Sequence, residues 1–281
     1  MERPAADAVL LGDNLAVLRR FPDETFQLVY ADPPFNTGSK VTRRTLEIVA
    51  DADGGRLGFQ GRRYSSRFVA QSSFEDSFDD YLGFLEPRLR EMQRVLGPTG
   101  TLYLHLDYRE AHYAKVLLDE IFGRDCFLNE IVWAYDYGAK PRRRWPAKHD
   151  TILVYVKDPG GYFFDSEAVD REPYMAPGLV TAEKAARGKL PTDVWWHTIV
   201  SPTGREKTGY PTQKPEGILR RIVQASTMPG DWCLDPFAGS GTLGAVAAKL
   251  GRRYVLVDSS PDAVAVARAR LAVAAERVGE A

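Results

Sequence analysis

The chain is poor in the residues that hold metals and disulfides. Its 281 residues include two cysteines, Cys126 and Cys233, and four histidines. Neither residue type occurs at the spacing of a metal site or a CxxC motif, so we expect two reduced thiols and no bound metal. The chain also lacks an apolar run that could cross a membrane, and its first residues do not resemble a signal peptide. We therefore expect a cytoplasmic protein that does not bind membranes.

An excess of charge of either sign is also absent. The 37 basic and 38 acidic residues give a formal net charge of -1. No overall positive field attracts nucleic acid, so any such binding must use local patches. The hydrophobic content of 44% is ordinary for a soluble globular protein. Length and composition predict a single large domain over residues 1–281, or one domain with a sizeable insertion.

Short apolar strands alternate with amphipathic helices along most of the chain. This alternation predicts an α/β fold with a parallel-rich sheet that helices cover on both faces. Two stretches interrupt the pattern. Residues 37–76 lack periodicity and contain many glycines, serines and arginines, which predicts a long mobile loop. Residues 158–208 are irregular, with several glycines and prolines, which predicts an inserted subdomain.

A glycine turn follows a predicted strand that ends at Asp235. Glycines allow a tight turn and close approach of a ligand, and free amides at a helix start attract an anion. The next predicted strand ends at Asp258, whose carboxylate can accept bonds from two ribose hydroxyls. The turn lacks the third glycine of a pyrophosphate-binding fold, which favours S-adenosyl-L-methionine, a cofactor without phosphate. A turn that merely connects strand to helix is the alternative. The predicted cofactor residues here are Asp235, Pro236, Phe237, Ala238, Gly239, Ser240, Gly241, Thr242 and Asp258.

A sharper motif, Asp32-Pro33-Pro34-Phe35, follows an early predicted strand. An exocyclic amine on a base is a poor nucleophile because its lone pair is delocalised into the ring. The Asp32 carboxylate and the Pro33 carbonyl can accept bonds from its two hydrogens, which favours a localised lone pair. The two prolines hold these acceptors in place, and Phe35 offers a flat face to a flipped-out base. We predict that these four residues are catalytic; a rigid corner with Phe35 in the core is the alternative.

Methylation at a ring carbon is disfavoured by the cysteines. That chemistry needs a cysteine nucleophile that activates the ring. Neither Cys126 nor Cys233 lies in a Pro-Cys loop, and Cys233 lies within a predicted buried strand. The catalytic motif therefore points to an amine as the acceptor of the methyl group.

These motifs resemble the amino-methyltransferases of DNA, and their order is similar to that of the beta group, in which the catalytic motif precedes the cofactor motif. The resemblance covers most of the chain, and includes Leu11-Gly12-Asp13-Asn14 and Tyr210-Pro211-Thr212-Gln213-Lys214-Pro215. It implies a seven-stranded, Rossmann-like sheet with a reversed final hairpin, with residues 158–208 as the target-recognition region and residues 37–76 over the active site. It also implies that Thr212 and Lys214 hold the methionine end of the cofactor, and that Asp13 and Asn14 lie near its adenine.

Within this family, Asp at the first position of the catalytic motif leans toward adenine N6, and Ser toward cytosine N4. The resemblance thus implies a site-specific methyltransferase that acts on N6 of a flipped-out adenine in double-stranded DNA, with cytosine N4 as the nearest alternative. An RNA or protein amide methyltransferase and a catalytically silent DNA-binding protein are further alternatives. The family often forms homodimers, and type II members have a cognate restriction endonuclease; the sequence leaves both partners and the target sequence open.

The densest positive run spans residues 141–149. Arginines on a loop can pair with phosphates while Trp145 stacks or wedges, although a solvated charge cluster is the alternative. The long stretch after Phe35 adds more positive charge and could close over the flipped nucleotide. We expect Trp195 and Trp196 to pack in the core, as adjacent tryptophans mostly do. The predicted DNA-binding residues are Asn36, Lys40, Arg43, Arg44, Arg142, Arg143, Arg144 and Lys148.

Overall fold

The computed structural model describes residues 2–37, 39–50, 56–57, 63–76, 78–138, 141–201, 204 and 206–279, and for residues 39–76 and 273–279 it describes the backbone alone. The strands are β1 Ala8–Leu11, β2 Phe26–Ala31, β3 Ser39–Ala50, β4 Arg56–Leu57, β5 Arg63–Asp76, β6 Leu96–Leu106, β7 Phe127–Ala134, β8 His149–Val156, β9 Val194–Trp196, β10 Trp232–Asp235 and β11 Arg253–Asp258. The α-helices are α1 Asn14–Leu18, α2 Tyr81–Val95, α3 Ala111–Phe122, α4 Ala182–Arg187, α5 Glu216–Ser226, α6 Thr242–Lys249 and α7 Pro261–Gly279.

Eight strands form one sheet in the order β1-β11-β10-β2-β6-β8-β7-β9. The strands from β1 to β6 in this order are parallel, and β8 runs antiparallel to both of its neighbours. The predicted α/β sheet and its reversed hairpin, β7–β8, are therefore present. The predicted number of seven strands is one too low, because β9 from the irregular stretch 158–208 pairs with β7 and adds an eighth strand.

Helices cover the sheet on both faces. In β2, Val29 and Ala31 pack with α1, α2 and α3, whereas Leu28 and Tyr30 pack with α5, α6 and α7. Side chains of a strand alternate between the two faces, so a strand covered on both sides must be apolar throughout. This explains why residues 28–31 of β2 form a continuous apolar run. None of the helices in the described part of the chain is both long and apolar enough to cross a membrane.

A crevice forms at the carboxyl ends of β2 and β10. These strands are neighbours, with Cys233 opposite Leu28 and Leu234 opposite Val29. Helix α2, the next helix after β2, packs on one face, and α6, which follows β10, packs on the other. The chain therefore leaves the two strands in opposite directions. In open α/β sheets, ligands bind in the crevice that forms between two such strands.

The backbone of residues 37–76 is not the loop that the sequence predicts. Strands β3 and β5 pair antiparallel from Ser39 and Asp76 to Ala50 and Tyr64, and β4 pairs with β5. Alternation of apolar and polar residues in a sequence indicates strands that have one buried face. A hairpin is joined by backbone hydrogen bonds and can form without that alternation. The prediction of an irregular loop is therefore wrong for these strands, and the mobility of the segment stays a prediction.

The stretch 158–208 lies against the main domain. The Phe163 amide donates to the Thr99 carbonyl at 2.9 Å, and the Asp165 amide donates to the Ala225 carbonyl at 2.8 Å. In β9, Trp195 is buried, as predicted, but Trp196 is 77% exposed. Neighbouring residues of a strand point to opposite faces, so two adjacent tryptophans in a strand do not share one environment.

Gly244 in α6 tests how tightly the helices pack on the sheet. A Cβ atom there would lie 2.7 Å from Leu256 Cδ1 and 3.3 Å from Leu271 Cδ2. We expect Gly244→Ala to lower the free energy of unfolding by about 1–2 kcal/mol in urea titrations, because overpacking outweighs the gain in helix propensity. Gly178→Ala is the control, since no heavy atom lies within 4 Å of a Cβ there; it should change the value by less than about 0.5 kcal/mol. Equal effects of the two changes would contradict this account.

Candidate active site

A cavity of about 440 Å³ opens in the crevice, within the range of about 300–1000 Å³ typical of small-molecule sites. The two sequence motifs meet in it. Of the residues predicted to be catalytic or cofactor-binding, Gly241 alone does not line the cavity. The lining residues that the sequence prediction missed are Tyr30, Thr37, Phe78, Phe84, Arg88, Tyr210, Ser259 and Ser260.

The glycine turn between β10 and α6 has two residues with left-handed backbone. Gly239 has φ 49° and lines the cavity, and Gly241 has φ 72°. A Cβ atom at Gly241 would lie 2.9 Å from the Ala267 Cβ in α7. Gly241 is therefore needed for the turn and for the approach of α7, rather than for direct contact with a ligand.

Two acidic strand ends frame this turn. Asp258 accepts hydrogen bonds from the amides of Gly239 and Ser260, each at 2.8 Å, and Asp235 accepts one from the Phe237 amide at 3.0 Å. Burial raises the pKa of Asp258 despite these bonds. Burial raises the pKa of Asp235 well above its usual range, and the nearby charges of Asp32 and Asp258 add to the effect. The Ser259 amide also donates to this carboxylate. A carboxylate has about four lone-pair sites, so Asp258 can still accept a bond from a diol in the cavity.

Asp13 and Asn14 attach α1 to the site. Asp13 caps the helix by accepting from the Ala16 amide at 2.9 Å, and Asn14 Nδ2 donates to the Pro236 carbonyl at 2.8 Å. Arg88 of α2 joins the two residues, because Nε donates to Asn14 Oδ1 at 2.7 Å and Nη2 donates to Asp13 Oδ2 at 2.9 Å. Arg88 therefore holds in place one wall of the cavity.

Asp32 directly follows β2 and lines the cavity beside the glycine turn. Lys214 Nζ donates to its Oδ2. Its other oxygen, Oδ1, is buried and has no hydrogen-bond partner among the described residues. Lys214 Nζ also lies 4.9 Å from the centroid of the Phe35 ring. An unpaired carboxylate oxygen is costly to bury, so Asp32 retains an acceptor that a ligand with N–H groups can satisfy.

A buried polar chain lies behind the catalytic motif. The Tyr30 hydroxyl lies 2.8 Å from His105 Nδ1, His105 Nε2 lies 3.2 Å from Asp150 Oδ2, and the Tyr135 hydroxyl donates to Asp150 Oδ1 at 2.9 Å. The His105 ring contacts the Phe35 ring, with 5.9 Å between their centroids. These hydrogen bonds therefore connect His105, which packs against Phe35, to Tyr135 at the start of the connection between β7 and β8.

The pKa values assign donors and acceptors in this chain. Burial raises the pKa of Tyr30 well above its usual range, and the charges of Asp32 and Asp235 raise it further. Burial alone would raise the pKa of Asp150, but the hydrogen bond and charge of His105 lower it overall. Asp150 is therefore an ionised acceptor. Because an ionised Asp150 can only accept, His105 Nε2 is the donor of their hydrogen bond.

The predicted DNA-binding arginines lie on the connection between β7 and β8. Because β7 runs parallel to β6, its carboxyl end points to the edge of the sheet where the cavity opens. Arg142, Arg143 and Arg144 are exposed, and Trp145 is 94% exposed. Lys148 instead donates to the carbonyls of Tyr137 and Gly138, at 2.7 and 2.9 Å, and thereby closes the connection on itself.

The other predicted DNA-binding residues lie after the catalytic motif. Asn36 has left-handed backbone, with φ 53°. Its Nδ2 donates to Glu110 Oε1 at 2.8 Å, and its Oδ1 accepts from the Phe78 amide at 3.0 Å. Its side chain therefore joins the two ends of the stretch 37–77 to α3, a structural role that the sequence does not show. The side chains of Lys40, Arg43 and Arg44 lie outside the described residues.

The cysteines are unsuited to nucleophilic attack. Cys126 and Cys233 are both unpaired and buried. Burial is the main factor that raises the pKa of each thiol, so both remain protonated near neutral pH. Within the described ranges, no group of three or more His, Cys, Asp or Glu side chains could hold a metal ion.

A doubly wound sheet with a glycine turn, an acidic strand end and an Asp-Pro-Pro-Phe corner in one crevice defines a nucleoside-cofactor methyltransferase of the Rossmann-like class. Comparison with known proteins identifies the family. The model of the N6/N4 DNA methylase family matches residues 26–269, so the chain belongs to that family. The predicted family and fold class are thereby confirmed.

The relatives include enzymes named for both amino positions. The chain is 30% identical over 283 residues to the DNA adenine methyltransferase YhdJ of Escherichia coli (strain K12), with 98% of this chain and 86% of the relative covered. Its fold is similar to that of the PvuII DNA methyltransferase (cytosine-N4-specific), with a TM-score of 0.63, 17% identity, and coverage of 95% and 87%.

A structure with bound cofactor is also similar. A DNA modification methylase from Thermus thermophilus, complexed with S-adenosyl-L-methionine, has a TM-score of 0.61 and 23% identity, with coverage of 96% of this chain and 94% of that one. The cofactor in that structure is the one that the glycine turn and the family resemblance predict for this chain.

Removal of one hydroxyl tests the buried polar chain. We expect Tyr30→Phe to leave His105 Nδ1 without its partner and to lower the free energy of unfolding by about 1–3 kcal/mol, measured by urea titration. The same change at Tyr113, which is 65% exposed on α3, should cost less than about 0.5 kcal/mol. An unchanged stability of Tyr30→Phe would show that the hydroxyl contributes nothing to the fold.

Proposed function

We propose that the protein moves a methyl group from S-adenosyl-L-methionine to the exocyclic N6 of an adenine flipped out of double-stranded DNA at a specific site. The observation that carries this proposal is the meeting of the Asp32 carboxylate with the glycine turn in one cavity. A methyl acceptor at Asp32 and a nucleoside donor at the turn would then share one cavity. The 30% identity to a DNA adenine methyltransferase supports N6 over other positions.

Asp32 and Phe35 act on the base. Asp32 Oδ1 is buried without a partner, and an amino N–H of adenine satisfies it. Acceptance of that bond, with a second one at the Pro33 carbonyl, localises the lone pair on N6 and prepares it for attack. The acceptors need no reorganisation, because Pro33 and Pro34 stiffen the backbone. Phe35 offers the ring face on which the base stacks.

The cofactor residues line the same cavity. Asp258 can accept from the ribose hydroxyls with the lone pairs left by its bonds to Gly239 and Ser260. Lys214 is a cation that can pair with the cofactor carboxylate, and Asn14 can contact its adenine. When bound, S-adenosyl-L-methionine supplies the sulfonium methyl group. The residues present therefore fit this cofactor.

We assign contact with the duplex to the arginines of the β7–β8 connection, residues 142–144. Their exposure, and their place at the edge of the sheet where the cavity opens, allow them to pair with phosphates. We assign target recognition to residues 158–208, whose strand β9 lies beside β7 and presents Trp196 to solvent. Residues 37–76 are flanked by Asn36 and Phe78, which lie beside the cavity. From there they can cover the flipped nucleotide.

Cytosine N4 is the second candidate, because the same carboxylate and aromatic face suit either amine. The similarity to a cytosine-N4-specific enzyme supports it. Sequencing that detects modified bases, on DNA from a host that expresses the protein, identifies both the base and its context. Methyl groups on N6 of adenine at one short motif are expected; modification on cytosine N4 would favour the second candidate.

The role of Asp32 is tested in vitro with labelled cofactor and a duplex that contains the motif found by sequencing. Asp32→Ala should reduce transfer by about 100-fold or more, because it removes a charged acceptor from the transition state. Cofactor binding, measured by calorimetry, should persist. RNA and peptide substrates in the same assay should receive no label. A failure of the wild-type protein to bind cofactor would instead favour a catalytically silent DNA-binding protein. Full activity of Asp32→Ala would refute the role assigned to Asp32.

Cofactor affinity should depend on pH through Asp258. Ribose hydroxyls need the ionised carboxylate as acceptor, and the pKa of Asp258 is raised by burial. Protonation therefore begins above the usual carboxyl range of about 4, and affinity falls as the pH drops through the raised pKa. Calorimetry with S-adenosyl-L-homocysteine should show weaker binding at about pH 5 than at about pH 7.5. Asp258→Asn should bind weakly at both pH values; the same pH dependence in this variant would exclude Asp258 as its source.

A further inference from the structure

Lys214 lies beside the two residues that hold the target base in the proposed function. Its Nζ donates to Asp32 Oδ2 and lies 4.9 Å from the centroid of the Phe35 ring. A flipped-out base needs the same two residues, because an amino hydrogen must reach Asp32 Oδ1 and the ring must stack on Phe35. The ammonium of Lys214 and the base therefore compete for the space beside Asp32 and over the Phe35 ring.

The ion pair is sheltered from water. The side chains of Lys214 and Asp32 are 12% and 16% exposed, and solvent and salt screen such a pair less than an exposed one. Lys214 is also the one hydrogen-bond partner of the Asp32 side chain among the described residues. While this bond persists, Nζ stays beside Asp32 and over the Phe35 ring, in the space that a stacked base needs.

The cofactor carries a group that can draw Lys214 away. In the described structure, the cations that line the cavity are Arg88 and Lys214. Arg88 already donates to the Phe84 carbonyl at 2.7 Å, and to Asn14 and Asp13. The Lys214 ammonium has three donors on a flexible stem and makes a single hydrogen bond there. It is therefore the cation that can turn toward a carboxylate entering the cavity.

We propose that Lys214 blocks Asp32 in the free protein and that the carboxylate of the bound cofactor displaces it, so that the base site becomes available only after the cofactor has entered. This inference rests on the proposed function. Asp32 and the cofactor then compete for one ammonium, and by linkage each weakens the binding of the other to Lys214. No bond is made or broken; one ion pair is exchanged for another.

A double-mutant cycle tests the exchange without DNA. The probe is S-adenosyl-L-homocysteine, which keeps the carboxylate and the α-ammonium but lacks the sulfonium charge; the Lys214→Met background measures any direct effect of Asp32 on the α-ammonium. Calorimetry should show that Asp32→Asn binds this probe about threefold to tenfold more tightly than the wild type, because Lys214 is released. In a Lys214→Met background, the same change should alter the dissociation constant by less than about twofold.

Two outcomes would overturn the exchange: unchanged or weaker binding by Asp32→Asn, or equal tightening in both backgrounds. Lys214→Arg, which keeps the charge, should preserve the coupling, and Asp32→Ala serves as the second variant if Asp32→Asn does not fold. The methylation assay of the wild type is read separately. Absence of transfer to DNA rejects the proposed function, whereas transfer without coupling in the cycle rejects only the role of Lys214.

Discussion

The pairing of β2 with β10 is the contact on which the site depends. Both strands are buried and parallel, so they end at the same edge of the sheet. Asp32 and the glycine turn thus share one cavity, although they stand far apart in the sequence. Neither motif forms a complete site alone. The catalytic motif can bind the base that accepts the methyl group, and the glycine turn can bind the cofactor that donates it.

The same pairing crowds negative charge. Asp32, Asp235 and Asp258 lie close enough that each of the other two raises the pKa of Asp235. Backbone amides stabilise two of the three, since Asp235 and Asp258 accept bonds from the glycine turn. Asp32 instead pairs with a side chain, Lys214. A carboxylate held by a movable partner is available to change partners, whereas one held by backbone is not.

The site residues within each motif could be predicted from the sequence, because a motif places its residues next to one another along the chain. The residues of both motifs reach the cavity, Gly241 excepted, since a strand end and a turn define their positions. Arg88 and the pair His105 and Asp150 could not be predicted, because they act across helices and strands that the sequence does not show to be neighbours. Strand β9 was missed because three residues at a sheet edge carry too little pattern.

Asn36 has a consequence for how such a chain can vary. One side chain joins both ends of a stretch of about forty residues and fastens them to Glu110, the residue before α3. We therefore expect the geometry at the base of that stretch to depend little on the chain between its ends. A shorter, longer or unrelated hairpin should be tolerated between Thr37 and Phe78, which both line the pocket, so that this segment is an exchangeable module above a constant active site.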